Sequence, residues 1–197
     1  MDTETRTTTA GIECRSSQGR RSIGGVAMPY GSVSENLGGF FEVFNASAFK
    51  NGLDRDVCSL FNHDASKLLG RQSSGTMTVE DTPTSLNFSI SLPDTQTGWE
   101  CWELAKRGDL KSASVGFYSR ADDWKEQGSH EGLPLRMIME AELIEISLVA
   151  MPAYPGATVA PQTLRSLRAL SNSLTHNLGT FGAAARRRRM RMIEVGA

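Results

Sequence analysis

The feature that most constrains this chain is a series of short apolar runs separated by glycine, proline and asparagine. Residues 86–92 (LNFSISL) show it most clearly, because apolar side chains alternate there with Asn and Ser, as in a β-strand with one buried face. Comparable runs occupy residues 23–31, 40–45, 57–64, 68–71, 76–81, 112–119 and 135–149. This rhythm predicts a mainly β fold.

Two segments break the β pattern with helical character. Residues 95–108 (TQTGWECWELAKRG) follow Asp94, which can cap a helix N-terminus, and end at Gly108, which can stop a helix. Helical spacing would place Cys101 on the apolar face of this segment. Residues 46–53 are a candidate for a shorter helical turn. The fold class we expect is therefore mainly β with flanking helices, an α+β arrangement.

The length of 197 residues suits one compact domain with a tail. Residues 1–22 lack apolar periodicity and are expected to be a mobile N-terminal lead-in. Near the C-terminus, leucines recur at helical spacing over residues 164–174 and precede the arginine run 186–189. We place the domain at 23–160 and an amphipathic, Arg-rich tail at 161–197.

Charge and cysteine content narrow the function classes. The 21 Lys and Arg against 22 Asp and Glu give a formal net charge of −1, so the whole molecule has no field that gathers nucleic acid. Cys14, Cys58 and Cys101 lie far apart without a C-x-x-C pair, which indicates reduced thiols, and we expect no metal and no cofactor. No apolar run reaches the roughly 18 to 20 residues of a membrane span, so we expect a soluble, intracellular protein.

Of the three histidines, His63 stands out. It ends an apolar run in the sequence Asn62-His63-Asp64, so a strand would anchor its backbone while the imidazole faces a rim. A neutral imidazole near pH 7 suits a general base. A lone histidine at a strand end is also commonly structural, and both interpretations stay open on this residue alone.

A histidine base needs a nucleophile, and Ser114 in the segment 108–117 (GDLKSASVGF) is the best local candidate. The change from helix stop to turn to strand there can hold a hydroxyl rigidly, and Gly116 can admit another backbone closely. Ser112 lies two residues away on the same strand face and is the alternative nucleophile. In a serine-rich chain, a local hydrogen-bonding role is the other interpretation of both.

Glu145 interrupts an apolar stretch between Ile144 and Ile146. A carboxylate is costly to bury without a partner, and orienting a histidine would provide one. Glu140 and Glu142 fall on the opposite face by alternation and are the alternatives for this role. An edge position facing water is the other interpretation of Glu145.

These pieces belong to a longer series of motifs with a definite order. The series is FNHD at 61–64, LLGR at 68–71, SGTM at 74–77, RGDL followed by SVGF at 107–117, and EISLVAMPAY at 145–154, preceded by GVAMPY at 25–30 and FNASAF at 44–49. In order and spacing it resembles the prohead serine protease family of tailed bacteriophages. The resemblance spans about residues 23–158.

The resemblance implies a capsid maturation protease with a fold similar to that of herpesvirus assemblin, a closed β-barrel flanked by helices. Ser114 matches the family's serine and His63 its histidine, while Val115 stands where the family usually has Phe. Assemblin uses a second histidine as the third member; none lies at a suitable position here, so we carry that role to Glu145. Arg71 is a candidate to assist the oxyanion directly or through water, with a surface arginine as its alternative.

The implied activity is that of a serine endopeptidase that cleaves capsid or scaffold protein, and itself, inside the assembling prohead in the host cytoplasm. Its implied partners are the major capsid protein with its scaffolding region and a second copy in a homodimer, with no membrane partner. One alternative is an inactive structural or scaffolding component whose tail binds a partner helix. Nucleic-acid binding through Arg186–Arg189 is disfavoured, because Phe181 is the one aromatic residue near this run.

Overall fold

The computed structural model of the protein describes residues 3–8, 12–17 and 19–150. The predicted tail at 161–197 lies outside the described residues. Within them the elements are β1 (Glu4–Thr8), β2 (Ile12–Ser17), β3 (Arg20–Pro29), β4 (Phe41–Phe44), β5 (Cys58–Phe61), β6 (Asp64–Arg71), β7 (Met77–Asp81), β8 (Ser85–Ser91), α1 (Gln96–Arg107), β9 (Ser112–His130) and β10 (Leu133–Val149).

The strands form two sheets. The first has the order β1-β9-β10-β5-β6, with β4 also paired to β10, and the second has the order β2-β3-β8-β7. β9 and β10 form a long antiparallel hairpin, whereas β4 and β5 both run parallel to β10. The mainly β prediction is confirmed. Among the described strands neither sheet closes on itself, so the closed barrel is not confirmed.

α1 is the one α-helix among the described residues. The side chain of Thr95 accepts a hydrogen bond from the Gly98 N–H, so the N-cap is Thr95 and not Asp94 as the sequence suggested. The helix ends as predicted at Gly108, which has a left-handed φ of 82°, and it buries Cys101. The expected helical turn at 46–53 is a series of tight turns. No helix in the described ranges is long and apolar enough to cross a membrane.

The segment 1–22, expected as a lead-in, contains β1, β2 and the start of β3. β1 pairs with β9 in antiparallel register, with Thr7 opposite Ser114, and β2 pairs with β3. Both are end strands of their sheets, and in β2 the apolar contacts to the core come from Ile12 and Cys14. Such strands need little apolar periodicity, which is why the sequence pattern did not indicate them.

β1 is attached to the rest of the sheet by partly buried charges. Arg6 donates to Glu42 at 2.6 Å, and Arg136 donates to Glu4 at 2.6 Å, to Glu42 at 3.1 Å and to Asp122 at 2.6 Å. Burial acts to raise the pKa of Glu4, but the hydrogen bonds and charges of the two arginines outweigh it and hold that pKa below its ordinary value. This cluster of charges thus fixes β1, the strand that flanks Ser114.

The attachment of β1 should weaken in acid. Because the pKa of Glu4 is depressed in the folded protein, its ion pairs stabilise the fold above the unfolded-state pKa, and the stabilisation is lost as pH falls through the folded-state pKa. Glu4→Gln should therefore lower the free energy of unfolding at pH 7 by about 1 kcal/mol and have a smaller effect in acid. Urea unfolding at both pH values measures this. The control is Glu13→Gln, an exposed carboxylate paired with Arg15; an equal loss in both variants would contradict the role of the cluster.

Candidate active site

His63 lies in the turn between β5 and β6. Phe61 pairs with Asp64, so Asn62 and His63 form a two-residue hairpin loop. Both have positive φ, 53° and 59°, as a type I′ turn requires. The apolar run of β5 ends at the turn, and the His63 side chain is 33% exposed. The histidine therefore has an anchored backbone and an imidazole at the rim.

Glu145 reaches this imidazole from β10. Its Oε1 is in hydrogen-bond contact with His63 Nδ1, although the two residues are 82 positions apart in the chain. The Ser147 hydroxyl donates to the same oxygen at 3.4 Å. β5 and β10 run parallel, with Cys58 opposite Glu145, so the pairing of these strands delivers the histidine turn to the strand that carries the carboxylate.

The two alternative carboxylates have other partners. Glu142 is nearly buried and forms ion pairs with Arg55 and Arg120. Glu140 accepts a hydrogen bond from an asparagine amide at 3.4 Å. Of the three candidates, all within the described part of the chain, Glu145 is the one that contacts the imidazole.

Ser114 lies on the same sheet face as Glu145. In the register of β9 and β10, Ser114 is opposite Ser147 and Gly116 is opposite Glu145, and paired residues of adjacent strands point to one face. Glu145 Oε1 lies 3.4 Å from the Ser147 hydroxyl and 3.4 Å from the position that a Cβ on Gly116 would take. Ser114 is opposite Ser147 and two residues from Gly116, so the two residues that contact the carboxylate both neighbour Ser114 in the sheet.

The Ser114 side chain is fully buried, and its hydroxyl has no hydrogen-bond partner within the described residues. The Ser112 hydroxyl likewise has no hydrogen-bond partner within the described residues, but Ser112 lies two register positions further from Glu145, opposite Val149. Since Glu145 holds Nδ1 of the imidazole, Nε2 is the nitrogen left to exchange a proton with a serine. The register favours Ser114 over Ser112 for that exchange.

Gly116 has a specific reason to be glycine. A Cβ there would lie 2.8 Å from Cγ of Glu145, closer than side-chain atoms normally approach. The sequence suggested that Gly116 admits another backbone; the group it admits is instead the Glu145 side chain. The absence of a Cβ lets that side chain lie over β9 at Gly116.

Two other residues near the site are accounted for by their contacts. Arg71 donates to Asp56 at 2.7 Å, so its guanidinium is engaged in a surface ion pair. Burial, and next the charge of Glu145, raise the pKa of the Cys58 thiol, which keeps it protonated and a poor nucleophile. Among the described residues, no group of three or more His, Cys, Asp and Glu side chains is placed to hold a metal ion.

Sequence reasoning did not assign a role to Asn62 or Ser147. The side chain of Asn62 accepts a hydrogen bond from the Ala150 N–H at 3.3 Å. Asn is a preferred residue for positive φ in a hairpin turn, so its position at the end of an apolar run was an available signal. For Ser147 the available signal was strand alternation, which places it on the same face as Glu145.

The sequence as a whole is similar to a known protein family. The sequence model of a family described as caudovirus prohead serine protease matches residues 8–173. The match confirms the resemblance found in the motifs and extends beyond residues 23–158 at both ends. No curated protein and no solved structure matches the chain at a significant level. The family match covers most of the chain, which therefore belongs to the caudovirus prohead serine protease family.

Proposed function

We propose that the protein is a serine endopeptidase in which Ser114 is the nucleophile, His63 the base and then the acid, and Glu145 the residue that orients the imidazole. Membership of the family implies a serine peptidase. The observation that carries the residue assignment is the contact between Glu145 and Nδ1 of His63 on the sheet face that also bears Ser114.

The proposed mechanism follows from the contact of Glu145 with Nδ1 of the His63 imidazole. His63 Nδ1–H donates to Glu145, which sets the tautomer and leaves Nε2 to take the Ser114 proton as Oγ attacks the scissile carbonyl. Glu145 stabilises the imidazolium that forms, and the Ser147 hydroxyl helps to hold the carboxylate. His63 then gives the proton to the leaving amine. Water, deprotonated by the same nitrogen, releases the acyl group from Ser114.

The substrates we propose are the major capsid protein with its scaffolding region, and the protease itself. Cleavage would take place inside the assembling prohead in the host cytoplasm, with the enzyme acting as a homodimer. The family's description supports a prohead context. Co-expression with the major capsid protein, followed by mass measurement of that protein, tests the substrate.

An inactive capsid component is the second candidate. The observation that favours it is the complete burial of the Ser114 side chain. Incubation of the full chain with a fluorophosphonate separates the two candidates, because only an activated serine forms the covalent adduct. We expect an adduct on Ser114 that survives in Ser112→Ala and is absent from His63→Ala. Absence of any adduct on folded protein would support the inactive component.

Gly116→Ala should impair catalysis through Glu145. The added Cβ must displace the Glu145 side chain from its position over Gly116, and with it the carboxylate that contacts His63. A displacement of about 1 Å in such a group can cost on the order of 10²-fold, so we expect kcat to fall by that factor with KM little changed. Steady-state kinetics on a peptide from the capsid cleavage site measures both constants.

A double variant provides the control for Gly116→Ala. In a Glu145→Gln background the same substitution should cost much less, because the group that it displaces has already lost its function. If Gly116→Ala lowers kcat by the same factor in both backgrounds, the effect arises in the fold and not through Glu145.

A further inference from the structure

We propose that Asn62 is a positioning residue of this active site. Its backbone and side chain together fix the turn that carries His63 to the strand that carries Glu145. This role rests on the proposed function, and it concerns a residue that does not touch the reacting atoms.

The turn needs to be held, because its conformation is uncommon. Asn62 and His63 are consecutive non-glycine residues with left-handed φ, 53° and 59°. Asn and His adopt this region more often than most residues do, but it remains a minor conformation for any residue other than glycine. A histidine in such a backbone keeps one direction only where its surroundings determine it.

Asn62 supplies two attachments, and both lead to β10 or to its direct continuation. Its N–H donates to the carbonyl of Leu148 at 2.9 Å, and its Oδ1 accepts from the N–H of Ala150 at 3.3 Å. β10 also carries Glu145, so the residue before the histidine is bonded to the same strand as the carboxylate. The distance between the imidazole and its partner is thereby set within one strand pair.

The two attachments respond differently to substitution. The backbone bond to Leu148 persists with any residue other than proline, but the bond to Ala150 needs a side-chain acceptor at this position. Without it, Asn62 itself is bonded to the end of β10 through its N–H alone, and the turn gains freedom to move relative to that strand. Because catalytic groups must stay within about 0.5 Å of their productive geometry, this freedom should lower kcat more than it changes KM.

Three substitutions separate the turn conformation from the side-chain bond. Asn62→Gly keeps the left-handed backbone and removes the acceptor, Asn62→Asp keeps both, and Asn62→Ala removes both. We expect kcat to fall about tenfold in the glycine variant with KM unchanged, to fall further in the alanine variant, and to return to within about threefold of wild type in the aspartate variant. The matched control is Glu131→Gly in the distant β9–β10 turn, another residue with positive φ (47°), which should leave kcat unchanged.

Two results would overturn the role of Asn62. One is wild-type kcat in Asn62→Gly, which would mean that the turn conformation alone is enough. The other is an equal loss in Asn62→Asp and Asn62→Gly, which would mean that the acceptor is not what matters. In a Glu145→Gln background, Asn62→Gly should add little further loss, whereas a general folding defect would persist there.

The proposed function can fail separately. If the wild-type protein forms no adduct with a fluorophosphonate and cleaves no capsid peptide, the serine protease assignment fails. A readout that does not depend on turnover is then the downfield proton resonance of His63 Nδ1–H in the full chain. It should be present in wild type and in Asn62→Asp and weakened in Asn62→Gly; equal resonances in all three would overturn the positioning role.

Discussion

Replacement of Ser114 or of His63 by alanine is expected to abolish cleavage of the capsid protein while the fold is retained. Each change removes a group that the proposed mechanism requires at every turnover, and the loss should be about 10⁴- to 10⁶-fold. The two residues act as a unit, so the double variant should be no less active than either single variant. Removing the buried, unpartnered hydroxyl of Ser114 should leave the melting temperature unchanged or raise it.

The measurement is co-expression of each variant with the major capsid protein and determination of the capsid protein's mass. Ser112→Ala is a close control, because Ser112 lies on the same strand and face, is fully buried and likewise has no partner for its hydroxyl. The Ser112→Ala variant should shorten the capsid protein as the wild type does. If Ser112→Ala is inactive and Ser114→Ala still shortens the substrate, the nucleophile is Ser112 and the register argument for Ser114 is wrong.

Glu145→Gln should reduce kcat/KM by roughly 10²- to 10⁴-fold. Glutamine has nearly the same shape, so the fit over Gly116 and the neighbouring strand is kept. It cannot stabilise an imidazolium, and its amide can present an N–H to Nδ1 and favour the wrong tautomer. The loss should therefore be in the chemical step, with normal stability.

Glu142→Gln and Glu140→Gln are the controls for this change. Glu142 is buried between two arginines, so its neutral analogue should lower the melting temperature and leave the catalytic step intact. Glu140 lies in an exposed contact, and its replacement should change neither property. Near-normal turnover of Glu145→Gln, with a large catalytic loss in one of these two, would exclude Glu145 as the orienting residue.

Several local features could be predicted because they depend on short stretches of chain. Alternation at residues 86–92 predicted a strand with one buried face, and Leu86, Phe88 and Ile90 are buried in β8. The glycine at 108 predicted the end of α1 through its access to left-handed φ. The end of the apolar run before His63 predicted a strand end there. Each depends on periodicity or on the conformational range of a single residue.

Other features are set by contacts between distant parts of the chain. β1 has few apolar residues, and charges on β4 and β10 hold it in place, so the local pattern indicated a lead-in. The N-cap of α1 depends on which of two adjacent side chains turns toward Gly98, and the structure selects Thr95. The neighbour of Gly116 is a side chain on another strand, which spacing within the SVGF motif does not reveal.

The sequence by itself determined the β-rich class, the helix and its end, the family motifs, and the residue types able to serve as base, nucleophile and carboxylate. Alternation also determined that Ser112 and Ser114 share one face of their strand. Only the tertiary structure decided that β5 runs parallel to β10 and that Glu145 meets His63 across 82 positions. The physical reason is that alternation specifies the face of a strand, whereas its neighbour and register depend on long-range packing.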